Sequence, residues 1–150
     1  RFVFFTLLTI ANAWPYITKY AHVHGALYCI TPEDTKHMLE HVDVRMWEHD
    51  AVGSNDVKNA TETNEKGEFE LIGSEREMWG HEFFIDIRIP CWKEATKACS
   101  HKGLRCEDHK CEHYVKIDVP QRYNYERGDN HEIFDIPSYN IVNPSATEIS

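Results

Sequence analysis

The sequence has no apolar run long enough to cross a membrane. Its longest run, Phe2 to Ile10, falls well short of the roughly 20 residues that a membrane-spanning helix needs. Basic residues are also scarce, since 16 Lys and Arg stand against 25 Asp and Glu, for a formal charge of -9. Nucleic acid binding requires clustered cations to contact the phosphates, so this composition argues against a nucleic acid partner.

The chain also lacks the motifs of common catalytic and cofactor sites. It has no nucleophile motif, no glycine-rich phosphate loop and no pair of catalytic carboxylates. His22 and His24 would share one face of a strand and could chelate a metal, but a closed structural zinc site takes four ligands. The alternative to a metal site is that the ten histidines are ordinary solvated side chains. We therefore expect no cofactor and no metal site, with His22 and His24 as weak candidates.

The N-terminal residues predict a secretion signal. Arg1 precedes the apolar run, and Ala11-Asn12-Ala13 supplies small residues where a signal peptidase would cleave. The alternative is an apolar N-terminal strand. We expect residues 1–13 to be removed, residues 14–20 to form a lead-in segment and residues 143–150 to be a flexible tail.

Short segments of alternating polarity predict an all-β domain over residues 21–142. In Asn64–Ser74, NEKGEFELIGS, a turn at Gly67 precedes Phe69 and Leu71 on one face of a strand. Similar runs occupy residues 42–47, 83–89 and 114–119. Short strands at this spacing are typical of a β-sandwich, here of about seven to eight strands. At most one short helix is expected, because Thr31 and Asp34 could cap a helical turn over residues 35–40.

Five cysteines leave one unpaired if the others form disulfides. They are Cys29, Cys91, Cys99, Cys106 and Cys111. Secretion would place them in an oxidising compartment, where cysteines normally pair. Four of the five lie between residues 91 and 111, so any bridges concentrate on one long connection.

Several motifs follow one another in a specific order. They are Gly25-Ala26-Leu27-Tyr28-Cys29, an aromatic strand at 42–48, Gly67-Glu68-Phe69 ending in Gly73-Ser74, a strand running into Cys91, the segment Cys111 to Pro120, and Phe134-Asp135-Ile136. In this order they resemble the nematode transthyretin-like proteins, small secreted domains with the prealbumin β-sandwich fold. The chain departs from that pattern where Ile30 replaces the usual Gly and where the C-terminal Cys is absent.

The resemblance implies an extracellular protein that binds rather than catalyses. The expected partner is a small apolar ligand, a cell-surface lipid or an extracellular protein. Trp79 and Trp92, at strand ends beside polar loops, are the candidate contact residues, although they could equally cover the ends of the sandwich. A host- or receptor-directed signalling protein without a small ligand is the alternative within binding functions.

The prealbumin fold also occurs in the 5-hydroxyisourate hydrolases, which gives an enzymatic alternative. Their activity depends on His and Arg near the subunit interface and on a Tyr-Arg-Gly-Ser C-terminus. His22 and Arg45 could match by coincidence, but the chain ends in Glu148-Ile149-Ser150. We therefore expect no enzymatic activity.

The resemblance also suggests how the cysteines pair. A prealbumin-like fold would bring together the strand ends at Cys91 and Cys111, within the roughly 7 Å between Cα atoms that a disulfide requires. Cys99 and Cys106 would then form a second bridge, and Cys29 would remain buried as a small apolar residue. In the competing arrangement, Cys29 pairs with Cys99 or Cys106.

Asn59 is expected to carry an N-linked glycan. Asn59-Ala60-Thr61 is an acceptor triplet, and it lies on a weak strand where the side chain should face solvent. Treatment with an amidase that removes N-glycans should lower the mass of protein from a eukaryotic secretory host. The Asn59→Gln variant should show no shift, and an unchanged mass for the wild-type protein would contradict the prediction.

Overall fold

A computed structural model describes residues 15–50, 53–78, 80–90 and 112–141. Within these residues the chain forms eight strands and one short 3-10 helix at Gln121–Tyr123. The strands are β1 (Ile17–Ile30), β2 (Lys36–Met38), β3 (Asp43–Glu48), β4 (Asp56–Glu62), β5 (Glu68–Glu77), β6 (Phe83–Pro90), β7 (Glu112–Asp118) and β8 (Phe134–Asn140). The predicted all-β fold is therefore confirmed. No helix of the described segments is both long and apolar enough to cross a membrane.

The strands form two four-stranded sheets that enclose one core. Sheet A contains β1, β2, β5 and β8, and sheet B has the order β4-β3-β6-β7. Alternate side chains point inward, as the period of two predicts. The largest fully buried apolar side chains are Phe83, Leu27, Leu39, Met46, Leu71, Ile85, Ile87, Ile141, Val23 and Val42. This is the prealbumin-like β-sandwich that the sequence predicted.

Strand β1 has backbone hydrogen-bond partners on both of its sides. The Leu27 N–H donates to the Gly67 carbonyl at 2.9 Å, and the Leu27 carbonyl accepts from the Leu39 N–H at 3.0 Å. The N–H and the carbonyl of one strand residue point to the same side of the strand. β5 and β2 therefore pair with β1 on the same side, β5 up to Ala26 and β2 from Tyr28 onward. On the other side β8 runs parallel to β1, and Tyr125 forms a bridge with Tyr20.

The segment after Thr31 is a strand rather than the helical turn that the sequence left open. Thr31 does organise a turn, since its carbonyl accepts from the Asp34 N–H at 3.0 Å and its Oγ1 accepts from the Thr35 N–H at 3.2 Å. Beyond the turn, however, β2 pairs with the end of β1. The helical alternative is wrong because pairing with β1 supplies partners that one isolated helical turn could not.

The last described strand, β8, runs through Pro137. Proline has no backbone N–H, so within sheets it is confined to edges and bulges. Among the described strands β8 pairs only with β1, which makes it an edge strand.

Cys29 lies in the core and is disulfide-bonded. The expectation that it would stay unpaired is therefore wrong, and the competing arrangement with a bonded Cys29 is the better one. The other four cysteines lie outside the described residues, as do the predicted signal peptide and tail, so those predictions stay open.

Gly67 and Gly128 provide a matched pair for testing the turn before β5. Both have positive φ, 71° and 93°. A Cβ at Gly67 would collide with the Leu27 carbonyl oxygen, whereas a Cβ at Gly128 would meet nothing within 4 Å. Gly128→Ala should therefore lower the free energy of unfolding only by the left-handed backbone cost, about 1–2 kcal/mol. Gly67→Ala should lower it by about 1–3 kcal/mol more. Urea unfolding measures both, and equal losses would contradict the prediction.

Candidate functional site

The outer face of sheet B combines aromatic and charged side chains from three neighbouring strands. The outward side chains are Trp47 on β3, Phe84, Asp86 and Arg88 on β6, and Lys116 on β7. The predicted alternation of β6 is confirmed, because Phe83, Ile85 and Ile87 are the residues in the core. Strand register then places Trp47 opposite Phe84 and Asp86 opposite Lys116.

Phe84 stands between an indole ring and an ammonium group. The rings of Trp47 and Phe84 are parallel, with 3° between their planes and 6.2 Å between their centroids. Because β6 lies between β3 and β7, Lys116 approaches from the other side, and its Nζ lies 4.5 Å from the Phe84 centroid. The same Nζ lies 3.2 Å from Oδ1 of Asp118. Each aromatic or cation–π contact of this kind stabilises by about 0.5–1.5 kcal/mol, so the row is held in place without a ligand.

Asp86 is a buried acid on this outer face, with 4% of its surface exposed. Its Oδ2 accepts from the Arg88 Nε–H at 3.1 Å. Its Oδ1 has no hydrogen-bond partner among the described residues, and neither has Nε1 of Trp47. An unpaired buried polar atom costs about 1–3 kcal/mol, and folded proteins contain few of them. One acceptor and one donor therefore remain available on the same face.

Two adjoining depressions open on this face. The smaller, of about 240 Å³, is lined by Trp47, Asn55, Phe84, Asp86, Arg88 and Lys116. The larger, of about 420 Å³, shares Phe84 and Lys116 with it and extends to His49 and Gln121. Small-molecule sites typically measure about 300–1,000 Å³, so together the two depressions could hold a small ligand or a projecting group of a partner.

His22 and His24, the weak metal candidates, share the outer face of sheet A. His22 is 8% exposed, and its Nε2 lies 2.6 Å from Oε1 of Glu70 while its Nδ1 lies 3.1 Å from Nε2 of His131. Nδ1 of His24 lies 2.8 Å from Oδ1 of Asp135. Each histidine thus bonds its own neighbours, and the two do not converge on one point. In the described part of the chain, no three His, Cys, Asp or Glu side chains are grouped so that they could hold a metal ion.

His131 belongs to a row of stacked rings that fixes the loop before β8. Tyr125 stacks on His131 with 4.0 Å between centroids and 11° between planes, and Tyr20 stacks on Tyr125 at 5.5 Å. Burial and the neighbouring Tyr20 raise the pKa of Tyr125 above its usual value. The row positions His131 beside His22, and this contact between segments distant in sequence could not be read from spacing.

Of the predicted residues Trp79, Trp92 and Asn59, only Asn59 lies within the described residues. Trp79 and Trp92 lie outside the described residues and stay predictions. Asn59 is exposed on the edge strand β4, and its Nδ2 donates to the Ile72 carbonyl at 2.9 Å. That bond links β4 to β5 of the other sheet. Since an amide nitrogen carries two hydrogens, one remains for a glycosidic bond, and the glycan stays a prediction.

Sequence spacing did not indicate Phe84, Asp86 or Lys116 as site residues. Alternation places them on an outer face, and such a face is normally solvated. Asp86 is buried because side chains of β3 and β7 surround it, which depends on strand register rather than on spacing. The one sequence feature that pointed to the site was an acidic residue, Asp86, between Phe84 and Arg88 on the same face of the strand. Trp47 lies half-buried at a strand pair on the outer face.

Comparison with known proteins identifies a family but no individual relative. The model of the transthyretin-like family (TTR-52) matches residues 24–120. This range includes β2 to β7 and all lining residues of the smaller depression, and it confirms the resemblance to the transthyretin-like family. No curated protein matches the chain.

Two solved structures align with most of the chain at low identity. One is a 9R-lipoxygenase from Cyanothece PCC8801, with 15% identity, a TM-score of 0.40, and coverage of 81% of this chain and 16% of that one. The other is an (S)-allantoin synthase, with 12% identity, a TM-score of 0.43, and coverage of 81% and 42%. The chain therefore spans less than half the length of either protein. Likeness at this level says nothing about activity.

At the end of β3, Glu48 points into the sandwich with 2% of its surface exposed. Burial, followed by the nearby carboxylates of Glu77 and Glu75, raises the pKa of Glu48 to about 7. Burial also disfavours the charged form of Glu75, but its hydrogen bond and ion pair with Lys58 lower the pKa of Glu75 overall. Glu48 is thus a buried carboxyl group that changes charge near neutral pH.

Glu48→Gln should remove part of the pH dependence of stability. The pKa of Glu48 is about 7 in the folded chain against an ordinary value of 4.5, so the folded state binds the proton more tightly. The free energy of unfolding therefore falls as pH rises from 4.5 to 7 and stays lowered above that. Glu48→Gln should be more stable than wild type by roughly 1–3 kcal/mol at pH 8 and nearly equal to it at pH 5. Urea unfolding at both pH values measures this, with Glu65→Gln in an exposed turn as the control. A variant that is less stable than wild type at pH 8 would disprove it.

Proposed function

This chain belongs to the transthyretin-like family, and on that basis we propose that it is a secreted protein that binds rather than catalyses. Its partner is a small ligand, or a lipid or protein at a cell surface, and the contact is made by the outer face of sheet B. The observation that supports this site is the pair of unpartnered buried atoms, Asp86 Oδ1 and Trp47 Nε1, beside open depressions. A binding partner could supply the hydrogen bonds that both atoms lack.

The composition of the face favours an amphipathic partner over a wholly apolar one. Parallel aromatic rings provide apolar contact area, and Lys116 and Arg88 provide charge. An entirely apolar ligand would cover Asp86 without pairing its oxygen, and that desolvation would oppose binding. A surface group with both apolar and polar parts meets no such penalty. The same face would serve the alternative, a receptor-directed protein without a small ligand.

The hydrolase alternative receives little support from the placement of its two candidate residues. His22 points outward from sheet A and Arg45 outward from sheet B, so they lie on opposite faces of one chain. What favours an enzyme is the hydrogen-bonded chain from Glu70 through His22 to His131, because a carboxylate–imidazole pair can act as a general base. We expect no ureide turnover by the purified protein. Turnover that disappears in His22→Ala would replace the binding proposal with the enzymatic one.

Lys116→Glu should weaken binding to cells or to a co-purifying ligand by roughly fivefold or more. The change removes the cation from Phe84 and places a second carboxylate beside Asp86. The side chain is 59% exposed, so folding should be retained. Lys66→Glu, which makes the same charge change in the exposed turn before β5, is the matched control. Flow cytometry with labelled protein and native mass spectrometry give the two readouts. If both variants bind like wild type, the site lies elsewhere.

A further inference from the structure

We propose that the smaller depression on the outer face of sheet B binds a neutral, hydroxyl-bearing ring, that is, a sugar residue. This inference rests on the proposed function and names the chemical class of the ligand at the same site. It depends on three properties of the face: the hydrogen-bonding groups that lack partners, the balance of charge around them, and the aromatic pair beside them.

The two unpartnered atoms require a ligand that both donates and accepts hydrogen bonds. Asp86 Oδ1 is an acceptor and needs a donor, whereas Trp47 Nε1 can only donate and needs an acceptor. A hydroxyl group provides both functions in one small group. Asn55 lines the same depression; its Oδ1 lies 2.9 Å from Nδ1 of His49, and its Nδ2 can donate to a hydroxyl. An ammonium group would satisfy Asp86 and leave the indole N–H unpaired.

The charges on this face are of both signs and so do not favour a charged ligand. Strand register places Arg45 and Lys116 on either side of Asp86, and Arg88 bonds it directly. A cationic ligand would therefore approach three basic side chains. The described acids of the same face are Asp43, Asp86, Asp118 and Glu62, which register places opposite Asp43. They offset the three bases, so an anion gains no net attraction either, and it would meet the Asp86 carboxylate directly. A neutral ligand avoids both penalties.

The aromatic pair supplies the apolar contact that sugar rings use. Each face of a sugar ring that carries axial C–H groups is apolar, while its rim carries hydroxyls. Trp47 and Phe84 stand parallel and line the same depression as Asp86, so apolar surface and a polar group border one space. The adjoining larger depression, which shares Phe84 and Lys116, leaves space for a second residue of an oligosaccharide. The ligand would then be the sugar part of a glycoprotein or glycolipid, or a free saccharide.

The test is an array of immobilised neutral oligosaccharides probed with the intact protein, followed by titration calorimetry with the best binder. Trp47→Phe keeps an aromatic ring and removes the N–H, and Asp86→Asn keeps the shape and removes the carboxylate. Each should weaken binding roughly tenfold, since each removes or weakens one hydrogen bond. Asp34→Asn is the matched control: it makes the same charge change in an exposed turn, at φ 60°, which Asn adopts as readily as Asp. Urea unfolding confirms that every variant is folded.

The outcomes separate this inference from the proposed function. Binding of neutral saccharides that both site variants weaken and Asp34→Asn leaves unchanged supports the inference. Vesicles with neutral glycolipid and a glycoprotein before and after deglycosylation then identify the source of the sugar. Saccharide binding that neither site variant changes would overturn the assigned site. Binding only to charged lipids or to unglycosylated proteins would overturn the inference and leave the proposed function standing. No binding to saccharide, vesicle or cell would overturn both.

Discussion

The need to satisfy the backbone of β1 on both sides determines much of this structure. β1 is the longest strand, Ile17–Ile30, and its inward side chains are in the core, so water cannot serve most of its polar groups. On one side of β1 the pairing partner changes from β5 to β2 at Leu27. The Leu27 N–H bonds the Gly67 carbonyl in the turn before β5, and the Leu27 carbonyl bonds the Leu39 N–H after β2. The turn can approach that closely only because residue 67 has no side chain. Sheet A is thus assembled around one strand that has no free side.

The same alternation that builds the core also produces two chemically different outer faces. On sheet A the outward residues of β1 are paired within the chain, as His22 with Glu70 and His24 with Asp135 show. On sheet B the outward residues form an aromatic and charged row in which two buried polar atoms have no partner among the described residues. A face whose hydrogen bonds are internally satisfied gains little from a partner, whereas a face with unpaired groups gains much. This difference is the physical basis for assigning the binding site to sheet B.

The sequence predicted the strands well because a half-buried strand must alternate, and alternation is visible in the residues. It predicted β6 and the turn at Gly67, and the order of the motifs identified the family. It did not decide between a helix and a strand after Thr31, because good helix-capping residues are also good turn residues. The segment is a strand because it pairs with the end of β1. The bonding of Cys29 and the burial of Asp86 depend on contacts between distant segments. Neither property can be predicted from the spacing of residues along the sequence.

The proline in β8 has a consequence for how the protein behaves at high concentration. An edge strand with a regular row of N–H and C=O groups can recruit a strand from another molecule and start a fibril. Pro137 interrupts that row in the middle of Phe134–Asn140, so a foreign strand could not pair along its full length. In sheet B, the edge strand β7 carries Lys116 and Asp118, and charges on an edge also discourage pairing. Growth of fibrils from the folded chain is therefore disfavoured at both of these edges.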